Sequence, residues 1–302
     1  MRVVFMGTPE YATRILSGLL QSVQVVGVFT QPDKPVGRKQ VLTPPDVKRF
    51  LIESAKDIPI FQPSTLKSSE IAQRIEALKP DFIVVAAYGQ ILPKSILSIA
   101  PCINLHASLL PKYRGASPIQ QALFEGEKIT GVTAMLMDEG LDTGDILAYS
   151  VYPIEPGDTA LALFDTLADL AAKLTPQVLR RYESLQALPQ WDVDATYCKK
   201  IKKSDGLVSF DDAQKIYNKY RAFILWPGIF LSSGLKLKKI ELVDTASSNT
   251  PGEILAIEPD GVVVGCAKGR IKVVRVQPPS KKEMEALAYI RGKRIGVGDI
   301  LV

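Results

Sequence analysis

Two residues in the middle of the chain have the types and spacing expected of a site for acyl chemistry. Asn104 and His106 stand two positions apart, and His106 is the one histidine among 302 residues. At the end of a strand this spacing points both side chains to the same face of a sheet. A carboxamide donor beside an imidazole suits the stabilisation of an oxyanion that develops at a carbonyl carbon. Taken alone, however, the pattern favours a simpler interpretation, in which a lone histidine ends a strand and bonds a backbone carbonyl.

A second polar segment, Asp138 to Asp145, has the sequence DEGLDTGD and lies between two apolar runs. Its Asp and Gly content is typical of a tight hairpin turn. The functional interpretation brings one of its carboxylates beside His106, where it orients the ring and handles protons. No serine or cysteine stands in a recognisable nucleophile motif, which favours direct transfer over a covalent acyl-enzyme.

The scarcity of metal-binding side chains limits the cofactors that the chain could hold. Three widely spaced cysteines, Cys102, Cys198 and Cys266, accompany the single histidine. This excludes a His–Cys metal centre within the chain and a disulfide framework, so we expect no metal. The turn at Gly7–Glu10 could hold an anion at a helix start, but it is neither a GxGxxG fingerprint nor a Walker loop. A nucleotide cofactor is therefore not expected.

The elements that must position these residues alternate between strand and helix patterns. Apolar runs predict strands at 3–6, 25–30, 82–88, 102–105, 130–137 and 146–152, and helical periodicity appears between them and at 158–182, where Pro176 could kink or split the helix. Residues 31–46 are rich in proline and charge and are expected to form a long surface loop. The fold class is therefore α/β, a Rossmann-like mostly parallel sheet with helices on both faces. In such sheets ligands bind at the carboxyl ends of the strands, where His106 stands.

The pattern changes after Pro189. Residues 190–206 are polar and lysine-rich, which is typical of a linker. Short strands separated by turn residues then predict a small C-terminal OB-like β-barrel. We therefore expect a catalytic domain at 1–189, a linker at 190–206 and a basic barrel at 207–302.

Charge divides unevenly between the two halves of the chain. Residues 196–302 contain 19 Lys and Arg against 11 Asp and Glu, whereas residues 1–195 contain 18 against 21. A basic module indicates a polyanionic partner, first of all a nucleic acid. Lysines that keep a small β module soluble would explain the charge equally well.

The chain carries no recognisable targeting or membrane signal. The N-terminal run MRVVFMGTPEYA is too short and too polar for a secretory signal, and no apolar run approaches the roughly 20 residues of a membrane span. The sequence therefore predicts a reduced, cytoplasmic protein with no membrane partner.

Three runs, FMGTPEYA, NLHASLLPKYRGASPIQQAL and LDTGDIL, resemble those of the folate-dependent formyltransferases. The resemblance extends over essentially the whole chain. It implies transfer of a formyl group from 10-formyltetrahydrofolate to an amine, here the α-amine of methionine on charged initiator tRNA. It also implies a catalytic trio of Asn104, His106 and Asp142, and we expect a monomer. In the mechanism so implied, Asn104 and His106 hold the oxyanion, while Asp142 orients His106 and helps to move the amine proton.

The resemblance also implies binding residues. The folate would be lined by Ser108, Leu109, Leu110 and Pro111, with the backbone of Tyr88, Gly89, Gln90, Ile91 and Leu92 as the wall of the pterin site. The loop Gln31–Pro45 resembles a tRNA-contacting insertion, to which Arg38 and Lys39 would contribute; Lys39-Gln40 leaves it fewer basic residues than some relatives carry. Further tRNA contacts are expected from Lys199, Lys200, Lys202 and Lys203.

Three other functions compete with this one. A related folate enzyme could formylate a small amine or hydrolyse the formyl donor, using the same trio without needing a basic module. A non-catalytic RNA-binding protein could retain a degenerate transferase scaffold, although the intact trio argues against it. A nicotinamide dehydrogenase would fit the fold class, but the glycine-rich fingerprint is missing.

Overall fold

The computed structural model describes residues 1–37 and 39–302, so Arg38 lies outside the described residues. The chain divides into two compact units, each built from separate segments. The first unit comprises Met1–Pro118, Lys128–Ile154 and Leu163–Lys199, and the second comprises Ile119–Glu127, Glu155–Ala162 and Lys200–Val302. The division into domains at 1–189, 190–206 and 207–302 stays a prediction.

The first unit is organised around a seven-stranded sheet. Its strands, with the short pairs that accompany them, are β1 (Arg2–Gly7), β2 (Gln24–Phe29), β3 (Lys34–Val36), β4 (Val41–Thr43), β5 (Ile60–Phe61), β6 (Phe82–Ala86), β7 (Cys102–His106), β8 (Arg114–Gly115), β9 (Ile129–Leu136), β10 (Ile146–Pro153) and β11 (Tyr197–Cys198). The sheet order is β10-β9-β7-β6-β1-β2-β5. The pairs from β7 to β5 are parallel, and β9 runs antiparallel to both β7 and β10. The expected mostly parallel sheet is confirmed.

Helices cover both faces of this sheet. The helices of the chain are α1 (Glu10–Leu19), α2 (Asp46–Glu53), α3 (Ser69–Ala77), α4 (Lys94–Leu97), α5 (Pro118–Glu125), α6 (Ala160–Arg181), α7 (Ala213–Phe223) and α8 (Ala286–Lys293). On one face, Val4 and Met6 of β1 share a core with Ile75 of α3 and Ile96 of α4. On the other face, α1 approaches so closely that a Cβ at Gly7 would meet Ala12 and the ring of Phe5. Side chains alternate across a strand, so β1 is buried from both sides.

One local expectation, for the segment after β2, differs from the structure. The Pro-rich segment after β2 is not wholly irregular, because β3 and β4 pair as a short antiparallel hairpin with Val36 opposite Val41. Pro35 is compatible with this pair because an isolated two-stranded ladder leaves one side of each strand without hydrogen-bond partners. The long helix is present as α6, which continues past Pro176 to Arg181, so of the two alternatives at Pro176 the helix is not split there.

The second unit contains an antiparallel sheet packed against two helices. Its strands are β12 (Ile229–Phe230), β13 (Lys236–Asp244), β14 (Ile254–Glu258), β15 (Gly261–Gly265), β16 (Arg270–Gln277) and β17 (Met284–Glu285). The order is β12-β13-β16-β15-β14, with β17 paired to β16. Ala213 and Ile216 of α7 and Ile290 of α8 pack into the core beneath these strands. The expected C-terminal β module, separate from the parallel sheet, is confirmed.

Within the described part of the chain, no helix is both long and apolar enough to cross a membrane.

Candidate active site

The strand β7 carries Asn104 and His106 at the carboxyl edge of the sheet. It lies between β6, which is parallel to it, and β9, which is antiparallel. The two residues occupy positions i and i+2, so their side chains project from one face. Both are buried, with 9% and 7% of their surfaces exposed. Buried polar groups need partners, and here the partners come from distant segments of the chain.

Asp142, in the turn between β9 and β10, meets both residues. Its Oδ1 accepts a hydrogen bond from Asn104 Nδ2 at 3.3 Å, and its Oδ2 lies 3.7 Å from His106 Nδ1. The backbone N–H of Gly115 donates to Oδ2 at 2.8 Å. The carboxylate therefore faces the amide and the imidazole together. The structure thus brings the three residues of the expected trio into one site.

The His106 ring is oriented through its other nitrogen. Nε2 lies 2.9 Å from the carbonyl oxygen of Tyr113. Since a carbonyl oxygen can only accept, Nε2 carries the hydrogen and Nδ1 faces Asp142. The distance of 3.7 Å between Nδ1 and the carboxylate exceeds a direct hydrogen bond. Tyr113 is therefore the direct orienting contact of the ring, whereas Asp142 acts on Nδ1 over a longer distance.

The loop after β7 holds the residues expected to line the folate site. Ser108 and Leu110 are buried, whereas Leu109 and Pro111 are partly exposed. Thr133 of β9 holds the loop, because its hydroxyl donates to the Ser108 carbonyl at 2.6 Å and accepts from the Leu110 N–H at 3.0 Å. Of these four residues, Leu109 and Pro111 thus offer side-chain surface to a ligand, while Ser108 and Leu110 belong to the scaffold.

The segment after β6 holds the other expected folate residues. The side chains of Tyr88 and Leu92 are in the core, Gln90 is partly exposed, and Ile91 is 75% exposed. The Tyr88 carbonyl accepts hydrogen bonds from Thr8 Oγ1 and Gln31 Nε2, which ties this segment to the ends of β1 and β2. Burial raises the pKa of the Tyr88 phenol to about 12. The surface open to a ligand here is the backbone near Gly89 together with the Ile91 side chain.

Neighbouring parallel strands explain why these segments meet. Tyr88–Leu92 follows β6 and Ser108–Pro111 follows β7, and these strands lie side by side. The carboxyl ends of adjacent parallel strands form one edge, where open α/β sheets bind ligands. Both segments therefore follow the carboxyl ends of adjacent strands, at the edge of the sheet where His106 ends β7.

Arg114 and Gln190 are further residues of this site to which the sequence alone assigns no role. Arg114 is 1% exposed, and its Nε donates to Gln190 Oε1 at 3.0 Å. Gln190 Nε2 in turn donates to the backbone carbonyls of Asp142 and Gly144. The sequence signal for Arg114 is its place in the run SLLPKYRG, whereas Gln190 stands in the expected linker with no signal of its own.

Cys198 of β11 contacts the segment that follows Pro111. Its Sγ donates to the carbonyl of Tyr113 at 3.3 Å, and β11 pairs with β8 in parallel. Burial raises the pKa of the Cys198 thiol. A thiol that stays protonated is a poor nucleophile. This agrees with direct transfer without a covalent intermediate on the enzyme.

The basic residues expected to contact tRNA are exposed where they are described. Lys39 lies in the turn between β3 and β4, and Arg38 beside it is outside the described residues. Lys199 ends the last segment of the first unit, and Lys200 begins the last segment of the second. Within the described ranges, no ion pair neutralises the exposed ammonium groups of Lys199, Lys200, Lys202 and Lys203.

The described residues contain no group of three or more His, Cys, Asp or Glu side chains that could hold a metal ion.

Comparison with known proteins identifies relatives of both halves of the chain. Residues 1–179 match the formyl transferase family, and residues 200–294 match the formyl transferase C-terminal domain. The chain is 68% identical over 299 residues to the methionyl-tRNA formyltransferase of a Nitratiruptor species, covering 99% of each protein.

Solved structures share the fold at lower identity. The crystal structure of WlaRD, a sugar 3N-formyl transferase, is 19% identical with a TM-score of 0.68, covering 93% of this chain and 99% of that one. The structure of HypX from Aquifex aeolicus in complex with tetrahydrofolic acid is 18% identical with a TM-score of 0.65. That match covers all of this chain and 49% of the longer HypX, so the chain spans about half of its length.

Proposed function

The chain belongs to the methionyl-tRNA formyltransferase family, and on that premise we propose that Asn104, His106 and Asp142 carry out its formyl transfer. The enzyme uses formyl-tetrahydrofolate as donor and formylates the methionine of initiator methionyl-tRNA. The observation that supports the trio is that Asn104 and His106 both face the carboxylate of Asp142. Asp142 accepts from Asn104 at 3.3 Å and lies 3.7 Å from His106.

Asn104 and His106 act on the formyl oxygen. When the amine attacks the formyl carbon, that oxygen becomes negatively charged and needs hydrogen-bond donors. Asn104 Nδ2 carries two hydrogens, of which one is directed to Asp142 and the other remains for this oxygen. The ring nitrogen through which His106 can donate to this oxygen is Nδ1, because Nε2 is engaged with the Tyr113 carbonyl.

Asp142 transfers the proton of the reaction. Its Oδ2 lies 3.7 Å from His106 Nδ1. The attacking amine must lose a proton as the new C–N bond forms, and the Asp142 carboxylate accepts it. Asp142 then returns this proton to the folate nitrogen as the bond between that nitrogen and the formyl carbon breaks, so the enzyme regains its initial state.

The folate site is proposed to lie between the segments that follow β6 and β7. The residues fit a folate because exposed backbone near Gly89 offers hydrogen-bonding groups to a pterin, while Ile91, Leu109 and Pro111 offer apolar surface. Tyr88, Gln90, Leu92, Ser108 and Leu110 support this surface. When bound, the folate supplies the formyl group, and the chain orients it against Asn104.

The tRNA contacts remain a proposal from exposure and charge. Lys39, Lys199, Lys200, Lys202 and Lys203 are exposed, and unpaired lysines suit phosphate contacts that depend on salt. Arg38 is proposed as a further contact from the resemblance alone. We also propose that the enzyme is a cytoplasmic monomer. Light scattering coupled to size-exclusion chromatography measures its oligomeric state.

The test of the trio is a formyl-transfer assay with 10-formyltetrahydrofolate and charged initiator tRNA. Asn104→Ala and His106→Ala should each lower kcat by roughly 100-fold or more, because each removes a donor to the oxyanion. Free methionine and uncharged tRNA are the controls for the acceptor. Turnover near wild type in both variants would contradict the assignment, and transfer to free methionine at a comparable rate would contradict the tRNA acceptor.

A further inference from the structure

The turn that carries Asp142 is held in an unusual conformation. Asp142 has a φ of +54°, in the left-handed region that residues other than glycine seldom adopt. Two residues later, Gly144 packs so closely on β9 that a Cβ would overlap the carbonyl oxygen of Leu136. The position of the Asp142 carboxylate therefore depends on the contacts that hold this turn.

The amide of Gln190 spans the turn. Its Nε2 donates to the carbonyl oxygen of Asp142 at 2.9 Å and to that of Gly144 at 2.7 Å. Both hydrogens of the amide nitrogen are used in these two bonds. One side chain thus fixes the backbone on either side of residue 143.

Arg114 fixes the orientation of that amide. Its Nε donates to Gln190 Oε1 at 3.0 Å, and its Nη1 donates to Asp192 at 2.9 Å. A guanidinium can only donate and a carbonyl oxygen can only accept. A single orientation of the Gln190 amide therefore satisfies its three bonds, one from Arg114 and two to the carbonyls of Asp142 and Gly144. The next residue, Gly115, donates its N–H to Asp142 Oδ2 at 2.8 Å. Asp142 is therefore held at its backbone and at its carboxylate by one continuous network.

We propose that Gln190, held by Arg114, is a positioning residue for formyl transfer that places the Asp142 carboxylate against Asn104 and His106. The inference rests on the proposed role of Asp142. The Gln190 side chain contacts the backbone carbonyls of the turn, so it acts through Asp142. A displacement of about 1 Å of a catalytic group can cost on the order of 100-fold in rate.

Gln190→Glu tests this with little change in shape. The substitution puts a carboxylate oxygen where Nε2 stands, facing two carbonyl oxygens that repel it. We expect kcat to fall by roughly 10- to 100-fold, while the KM values for folate and tRNA stay within about twofold of wild type. Gln177→Glu, the same change on the exposed surface of α6, is the matched control and should keep the wild-type kcat.

A double-mutant cycle with Asp142→Asn separates positioning from a general structural role. If Gln190 acts through Asp142, Gln190→Glu lowers kcat little further in the Asp142→Asn background. An additive loss overturns the inference. A wild-type kcat in Asp142→Asn contradicts the proposed function itself, whereas a loss in Asp142→Asn without a loss in Gln190→Glu contradicts only the positioning role.

A second variant keeps the test decisive if Gln190→Glu does not fold. Gln190→Met has a similar length, no charge and none of the three hydrogen bonds. It should show the same fall in kcat and the same lack of additivity, with thermal unfolding measured in parallel. A folded Gln190→Met enzyme with wild-type kcat overturns the inference.

Discussion

At the scale of single residues, the backbone of Gly115 is as much part of the site as the side chains. Its N–H donates to Asp142 Oδ2. Its φ of +117° is accessible to glycine, and a Cβ there would overlap the carbonyl oxygen of Cys198. The residue therefore combines a hydrogen bond to the Asp142 carboxylate with a close approach between two strands, β8 and β11.

Gly115→Ala should consequently lower both activity and stability. The added Cβ forces β8 away from β11 and moves the N–H that holds Asp142, so kcat should fall by roughly 10-fold or more. The thermal unfolding midpoint should fall as well, because an alanine is strained at this φ. Gly157→Ala is the control, since a Cβ there meets nothing within 4 Å. Equal effects of the two substitutions would contradict this account.

At the scale of elements, Asp244 shows how a strand end in the second unit is held. It ends β13 and accepts hydrogen bonds from the backbone N–H groups of Ala246 and Ser247, and it pairs with Arg270 of β16. The Ser247 backbone bond and the Arg270 contact hold the pKa of this carboxyl well below its ordinary value. The ionised form of Asp244 therefore stabilises the fold.

The pH dependence of stability follows from the direction of this shift. A carboxyl with a depressed pKa in the folded protein contributes stability at pH values above its ordinary pKa of 3.8. That contribution is lost as the pH falls below this value toward the folded pKa. Denaturant unfolding of the wild type should therefore lose stability more steeply from about pH 5 downwards than unfolding of Asp244→Asn. Parallel curves would show that Asp244 makes no such contribution.

At the scale of the whole molecule, the second unit is not a simple C-terminal piece. It includes Ile119–Glu127 and Glu155–Ala162 as well as Lys200–Val302. Within it, Asn218 Nδ2 donates to the Phe124 carbonyl and Arg221 donates to the Asp158 carbonyl. Truncation before residue 207 would therefore expose the partners of these groups, so substituting charges is the cleaner way to test the tRNA contacts.

Binding of initiator tRNA should weaken steeply with salt, because phosphate contacts release counterions. Replacing Lys199, Lys200, Lys202 and Lys203 with alanine should reduce the slope of log K against log salt by about one per lost contact. Lys56→Ala and Lys67→Ala, at exposed positions of the first unit, serve as controls. An unchanged slope in the fourfold variant would rule these lysines out as phosphate contacts.

Much of the fold could be predicted because its elements carry local patterns. The apolar runs of β6, β7 and β9 and the periodicity of α6 lie close to their observed bounds. The hairpin β3–β4 was missed because proline and charge normally favour irregular structure. An open edge tolerates such residues, and a local pattern does not reveal which strands will have one.

The sequence by itself determined that Asn104 and His106 share one face at a strand end, since that follows from the two-residue period of a strand. Its motifs also indicated which turn supplies the carboxylate. The tertiary structure decided that Tyr113 orients His106, and that Gln190 and Gly115 hold Asp142. These contacts join segments up to 48 residues apart. They depend on the order of strands in the sheet and on close backbone approach, neither of which leaves a periodic signal in the chain.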